Sequence, residues 1–131
     1  MQVDEAMSEP VVSVGPSHTL REAAKRMTKR NVGAAIVIDG DMPGPGIFTE
    51  RDLMHAISDG QDPDTETVSE HLSTNLTFAA RDWPLERAAA AMERGGFRHL
   101  VVIDGGETVG IISMRDIVRC WVLNGNEGSA R

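Results

Sequence analysis

One cysteine, no tyrosine, three phenylalanines and two tryptophans are all that this 131-residue chain offers of the residues that anchor many small folds. A lone Cys120 excludes an intramolecular disulfide and a multi-cysteine zinc site, and it fits a reducing compartment. With an aromatic content of 4%, the core has to be built from Val, Ile, Leu, Ala and Met. Long apolar runs are missing too. The strongest, residues 34–38 and 100–103, are far too short to span a bilayer. The opening Met1-Gln2-Val3-Asp4-Glu5 lacks the basic and apolar regions of a signal peptide. A cytoplasmic location, away from any membrane, is the expectation. Positive charge is in deficit, with 13 Lys+Arg against 20 Asp+Glu, a formal charge of −7. This excludes broad charge-driven binding to nucleic acid or anionic membrane, but not one local anion pocket. His18, His55, His71 and His99 show no metal-ligand spacing. No Gly-x-Ser-x-Gly elbow, Walker loop or His-Glu-x-x-His is present.

What the chain does contain is ordinary globular composition, 40% hydrophobic and 25% charged. Its length suits one compact domain, or two small ones that share a core. At this size about two-thirds of the unfolded surface can be buried without disulfides or metals.

The chain is written twice. Sliding it by 65 residues pairs Val3, Glu5 and Ser8 with Val68, Glu70 and Ser73. The same offset pairs Leu20, Ala23, Ala24 and Met27 with Leu85, Ala88, Ala89 and Met92, and then Val37-Ile38-Asp39-Gly40 with Val102-Ile103-Asp104-Gly105. One residue is lost in the following turn, so that at offset 64 Gly46-Ile47 meets Gly110-Ile111 and Arg51-Asp52 meets Arg115-Asp116. The division this suggests is a first repeat over residues 1–60, a polar linker over 61–67, a second repeat over 68–123 and a tail over 124–131.

Each copy reads as strand, helix, strand, strand, helix. Short apolar segments at 11–14 and 76–79 open the copies. The i, i+3, i+4, i+7 spacing of Leu20, Ala23, Ala24 and Met27 predicts an amphipathic helix, started by the capping box Thr19-Leu20-Arg21-Glu22. In the second copy Asp82 and Pro84 supply the start signal. Two short strands follow, at 34–38 and 47–48 and again at 100–103 and 109–112, and a second helix begins near Glu50 or Met114. One copy alone leaves a sheet face bare, so an α/β fold with two βαββα repeats packed sheet to sheet is expected.

The pattern with chemical content stands where the last strand of each copy enters its helix: Gly46-Ile47-Phe48-Thr49-Glu50-Arg51-Asp52 and Gly110-Ile111-Ile112-Ser113-Met114-Arg115-Asp116. Two readings stay open. Thr/Ser-x-x-Asp makes a capping box, hydroxyl and carboxylate answering free helix N–H groups. Alternatively the helix N-terminus favours a phosphate, Thr49 or Ser113 donates to it or to a ribose, and Asp52 or Asp116 accepts from ribose hydroxyls. Arg51 and Arg115 add positive charge. The glycines either let backbone approach a ligand or admit a tight strand.

These segments, the Leu-x-x-Ala-Ala-x-x-Met helices and Arg98-His99-Leu100-Val101-Val102-Ile103-Asp104 resemble a tandem pair of cystathionine β-synthase (CBS) domains, a Bateman module, over roughly residues 3–122. The resemblance implies two βαββα units related by a pseudo-twofold axis, with two clefts that hold adenosine-containing ligands such as AMP, ADP, ATP or S-adenosylmethionine. It implies ribose contacts from Asp52 and Asp116, and ribose or phosphate contacts from Thr49 and Ser113. Val12, Val14, Thr77, Phe78 and Ala79 would line the base pocket with side chains and backbone. Arg98 and His99 replace Gly33 and Ala34 of the first copy, so Arg98, His99 and Arg115 are expected to form the anion-holding group and the two clefts to differ. Phe78, opposite Ser13 in the alignment, either stacks on a base or fills its pocket. A regulatory, non-catalytic module is expected, acting as a homodimer on an effector protein. The alternative is an interaction scaffold with degenerate clefts. An enzyme would need an acid–base pair or nucleophile, and nothing in the sequence puts His99 beside Ser113 and Asp116 to make a triad.

Overall fold

The computed structural model describes residues 1–129. Its elements run α1 (Val3–Ala6), β1 (Ser13–Val14), α2 (Leu20–Arg30), β2 (Ala34–Val37), β3 (Gly46–Thr49), α3 (Glu50–Ser58), a 3₁₀ turn (Val68–Glu70), β4 (Phe78–Ala80), α4 (Leu85–Gly95), β5 (His99–Asp104), β6 (Glu107–Ser113) and α5 (Met114–Ser129). The βαββα order expected for each copy is present twice. Strands β1-β2-β3 make one three-stranded sheet and β4-β5-β6 another. In each the first strand pairs in parallel with the central one, and the central strand pairs antiparallel with the third.

Local chemistry sets the helix ends. Thr19 caps α2 as the sequence predicts: its hydroxyl accepts the Glu22 N–H at 3.2 Å, and Glu22 Oε1 accepts the Thr19 N–H at 3.1 Å. That backbone N–H, then the Thr19 hydroxyl, hold the Glu22 carboxyl below its ordinary range. Pro84 stands at the N-cap of α4, one place ahead of the first-turn position a helix-starting proline usually takes, and gives no side-chain cap. Asn31 and Gly96, repeat counterparts, end α2 and α4 in the left-handed region at φ 54° and 71°. Helix α5 runs on to Ser129, so the polar stretch from Asn124 does not end it. No proline intervenes there to break the ladder. Residues 130 and 131 of the expected tail lie outside the described residues.

The compact units do not follow the repeats. One, here the first unit, is Val11–Leu76; the second is Met1–Pro10 together with the chain from Thr77 onward. The opening segment of each copy has joined the body of the other, through matching bonds. In the second unit Val3 N–H donates to Trp83 O and Leu85 N–H to Met1 O; in the first, Val68 N–H donates to His18 O and Leu20 N–H to Glu66 O. Ser8 bridges Ile111 as Ser73 bridges Ile47. Val3, Ala6 and Met7 consequently sit in a core with Ala79, Leu85, Ala88, Met92, Leu100, Val102, Ile112 and Ile117. Val68 sits in the other core, with Val12, Val14, Leu20, Ala23, Met27, Ala35, Val37, Phe48 and Ala56. Residues 61–67 are fastened to the first unit, since Arg21 N–H donates to Pro63 O and the Arg21 guanidinium holds the Asp64 carboxylate.

Candidate ligand site

Both strand-to-helix junctions are closed capping boxes. Asp52 Oδ2 accepts the Thr49 N–H at 2.8 Å and the Thr49 hydroxyl at 3.0 Å, while Thr49 Oγ1 accepts the Asp52 N–H at 3.2 Å. Asp116 Oδ2 accepts the Ser113 N–H at 2.9 Å and Ser113 Oγ accepts the Asp116 N–H at 3.0 Å. The copies then diverge. Asp116 is buried, at 5% exposure, and its Oδ1 takes a bond from Arg119 at 3.0 Å; the repeat counterpart of Arg119 is His55. Asp52 is half-buried. Capping and ligand contact remain compatible, because each carboxylate oxygen has more than one lone pair.

The central strands bring the next residues to these junctions. Glu50 N–H donates to Gly33 O at 2.9 Å and Met114 N–H to Arg98 O at 2.8 Å, so the residue before each central strand answers the first helical N–H. Ala34 lies opposite Thr49, and His99 opposite Ser113. The structure thus gathers Arg98, His99, Ser113 and Asp116 at the start of α5, with Arg98 and Arg115 exposed and His99 half-buried. Sequence reasoning gave no reason for His99 to meet Ser113; the register does. A bulge between Val102 and Ile103 in the β5–β6 ladder sets that register. In the first copy the matching surface is smaller and more acidic. Gly33 leaves room for Glu50, whose carboxylate would stand 3.0 Å from a Cβ there, and Glu50, Arg51 and Asp52 form the first turn. Arg51 is exposed.

The motif glycines serve the fold. A Cβ on Gly110 would meet Met7 Sδ at 2.7 Å and Ser8 O at 3.0 Å, and one on Gly46 would meet Leu72 Cδ1 at 3.0 Å and Ser73 O at 3.3 Å. They admit the exchanged opening segments, a role between the two the sequence offered.

First-strand residues divide by face. Val12, Val14 and Ala79 place their side chains in the helix-covered cores, as the two-residue strand period requires. Their neighbours Ser13 and Phe78 face the other way, and Phe78 is 40% exposed. Thr77 is half-buried and its carbonyl accepts the Val101 N–H; the Val12 carbonyl likewise accepts Ile36 N–H, and the Ser13 carbonyl takes the Arg26 guanidinium at 3.1 Å. Among the described residues no three His, Cys, Asp or Glu gather as metal ligands, and no helix is long and apolar enough to cross a membrane.

Residues 3–59 and 68–122 each match the CBS domain. The chain belongs to the CBS domain family. It is 33% identical over 129 residues to the CBS domain-containing protein YhcV of Bacillus subtilis, covering 98% of this chain and 91% of that one. Among solved structures it is similar to the CBS domain protein PAE2072 from Pyrobaculum aerophilum complexed with AMP, with a TM-score of 0.75 and 32% identity over 88% of this chain and 89% of that one. It is also similar to the CBS domain pair of protein MJ0100 in complex with 5′-methylthioadenosine and S-adenosyl-L-methionine, with a TM-score of 0.78 and 26% identity over 92% and 95%. The α/β architecture with two three-stranded sheets is that of a CBS pair.

Proposed function

We propose that this CBS pair is a regulatory rather than catalytic module that takes an adenosine-containing ligand at its strand-to-helix junctions. The reading rests on the group at the start of α5, where Arg98, His99, Ser113 and the buried Asp116 surround a helix N-terminus in a protein whose relatives hold AMP or S-adenosylmethionine. There Arg98, His99 and Arg115 hold phosphate, Ser113 donates to phosphate or ribose, and Asp116 accepts from the ribose. Thr49 and Asp52 do the same for ribose in the first copy, whose more acidic first turn suits a ligand with less negative charge. Thr77 and Phe78 meet the base, with backbone contacts from Val12, Val14 and Ala79. Binding biases the chain's conformation, and an effector protein reads the change. Exposed apolar residues recur at repeat-equivalent places, Met54 and Ile57 on α3 and Val118 and Trp121 on α5, which supports self-association as a homodimer.

Isothermal titration with AMP, ADP, ATP and S-adenosylmethionine tests the reading. Saturable binding of at least one is expected, and Arg98→Ala should weaken AMP at least tenfold, the equivalent of about 1.4 kcal/mol. Absence of heat with all four ligands would overturn it. A scaffold with closed junctions is the second reading, favoured by the Asp116–Arg119 pair, which occupies a carboxylate oxygen a ribose would use. It predicts a melting temperature that none of the four ligands moves.

A further inference from the structure

Asp52 and Asp116 close the same capping box, yet only Asp116 has an arginine three residues on. The first copy shows that the box does not need one. Thr49 and Asp52 hold each other at 2.8 and 3.2 Å without it, against 2.9 and 3.0 Å for Ser113 and Asp116. In both boxes Oδ2 accepts the backbone N–H of the hydroxyl residue. Arg119 does something separate: its guanidinium donates to the other oxygen, Asp116 Oδ1, at 3.0 Å. The residue at this place in the first copy is His55, which is exposed.

Oδ1 is the oxygen that a ribose needs. Adjacent 2′ and 3′ hydroxyls offer two donors to one carboxylate, and Oδ2 is already engaged in the cap. With Arg119 in place 7% of the Asp116 side chain is exposed, too little for a diol to reach it. The arginine is not locked there. Its own side chain is 56% exposed, and an ion pair of this kind, three residues apart on one helix, is worth little in water. The guanidinium can leave for solvent while Ser113 keeps Asp116 in place.

We propose that Arg119 is a ligand-displaced latch on the second junction: an adenosine-containing ligand gains Asp116 by exchanging the Arg119–Asp116 pair for bonds from its ribose hydroxyls. The latch presupposes the ribose contact proposed for Asp116 and adds a control on it. While closed, it lowers the apparent affinity to the fraction of time that it stands open. With His55 in this place the first junction is not gated in this way, so the same ribose chemistry meets unequal access in the two copies.

The test follows the full chain by amide NMR, in which residues 113–119 report the second junction apart from residues 49–55. The probes are AMP and 2′,3′-dideoxyadenosine 5′-monophosphate, which keeps base and phosphate but lacks both hydroxyls. Arg119→Met should bind AMP about three- to fivefold tighter than the wild-type chain, the release of one weak ion pair, and should bind the dideoxy compound no tighter. Saturating AMP should also move the Arg119 guanidinium resonances of the wild-type chain to those of a solvated side chain. An AMP affinity unchanged or weakened in Arg119→Met would overturn the latch while leaving AMP binding intact. An equal gain with the dideoxy compound would overturn it too, by showing that Arg119 opposes base or phosphate rather than ribose. So would guanidinium resonances that saturating AMP leaves in place. If AMP moves no amide of residues 113–119 in either protein, the latch falls together with the ribose contact it presupposes.

Discussion

Ser8 and Ile111 exchange both of their backbone hydrogen bonds, at 2.9 and 3.2 Å, although they stand near opposite ends of the chain. Ser73 and Ile47 repeat the exchange at 2.9 and 2.8 Å. Each pair fastens the opening segment of one copy to the last strand of the other, and each passes beside a glycine, Gly110 or Gly46, that has no room for a side chain.

Gly110→Ala should therefore destabilise the protein by about 1–3 kcal/mol, the usual cost of overpacking. Gly46→Ala should cost less, because its nearest contacts are 3.0 and 3.3 Å against 2.7 and 3.0 Å at Gly110. Urea unfolding of the two variants, with unchanged m-values, checks the order.

Val3 and Val68 are repeat counterparts, both fully buried, yet they serve different cores. Truncating either to Ala should cost about 2 kcal/mol. Hydrogen exchange should localise the damage: Val3→Ala speeds amides of α4 and Val68→Ala those of α2. The reverse pattern would mean that each copy folds on its own opening segment.

Asp116 is buried and serves both Ser113 and Arg119, whereas Asp52 is half-buried and serves Thr49. Asp116→Ala should cost about 1–2 kcal/mol and Asp52→Ala about 1 kcal/mol, as losses of helix caps. Arg119→Met should cost under about 1 kcal/mol, its side chain being 56% exposed. Denaturant midpoints of the three variants measure this ranking.

The hydrogen bond and charge of Arg21 hold the Asp64 carboxyl below the ordinary carboxylate range. A depressed carboxylate stabilises the fold fully above its unfolded value, near pH 4, and that contribution is lost as pH falls through the lower folded value. In Arg21→Gln the NMR titration of Asp64 should return to the ordinary range. An unchanged titration would show that Arg21 does not hold it.

Much of this was written plainly in the sequence. The capping boxes at Thr19, Thr49 and Ser113 need three or four residues in a row, and such local chemistry reads directly. The βαββα order followed from periodicity. The exchange of opening segments was hidden because an internal offset matches Val3 to Val68 without saying which body either one enters. Gly46 and Gly110 carried the signal, as close-approach positions facing Leu72 and Met7. Nor could the meeting of His99 with Ser113 be counted from the turn at Gly105-Gly106, because the bulge near Ile103 moves the register by one. Nor does the resemblance say which face of the first strand Val12, Val14 and Ala79 present, because one step along a strand decides it.

The exchange also sets an order of events at the ribosome. Residues 11–76 contain everything the first unit needs, so its core can close as soon as Leu76 has emerged. Met1–Pro10, made earlier than any of it, have no core to enter until the chain has been delivered as far as Ile117. Val3, Ala6 and Met7 are thus translated ahead of the first unit and buried after it, and they spend that interval as exposed apolar chain.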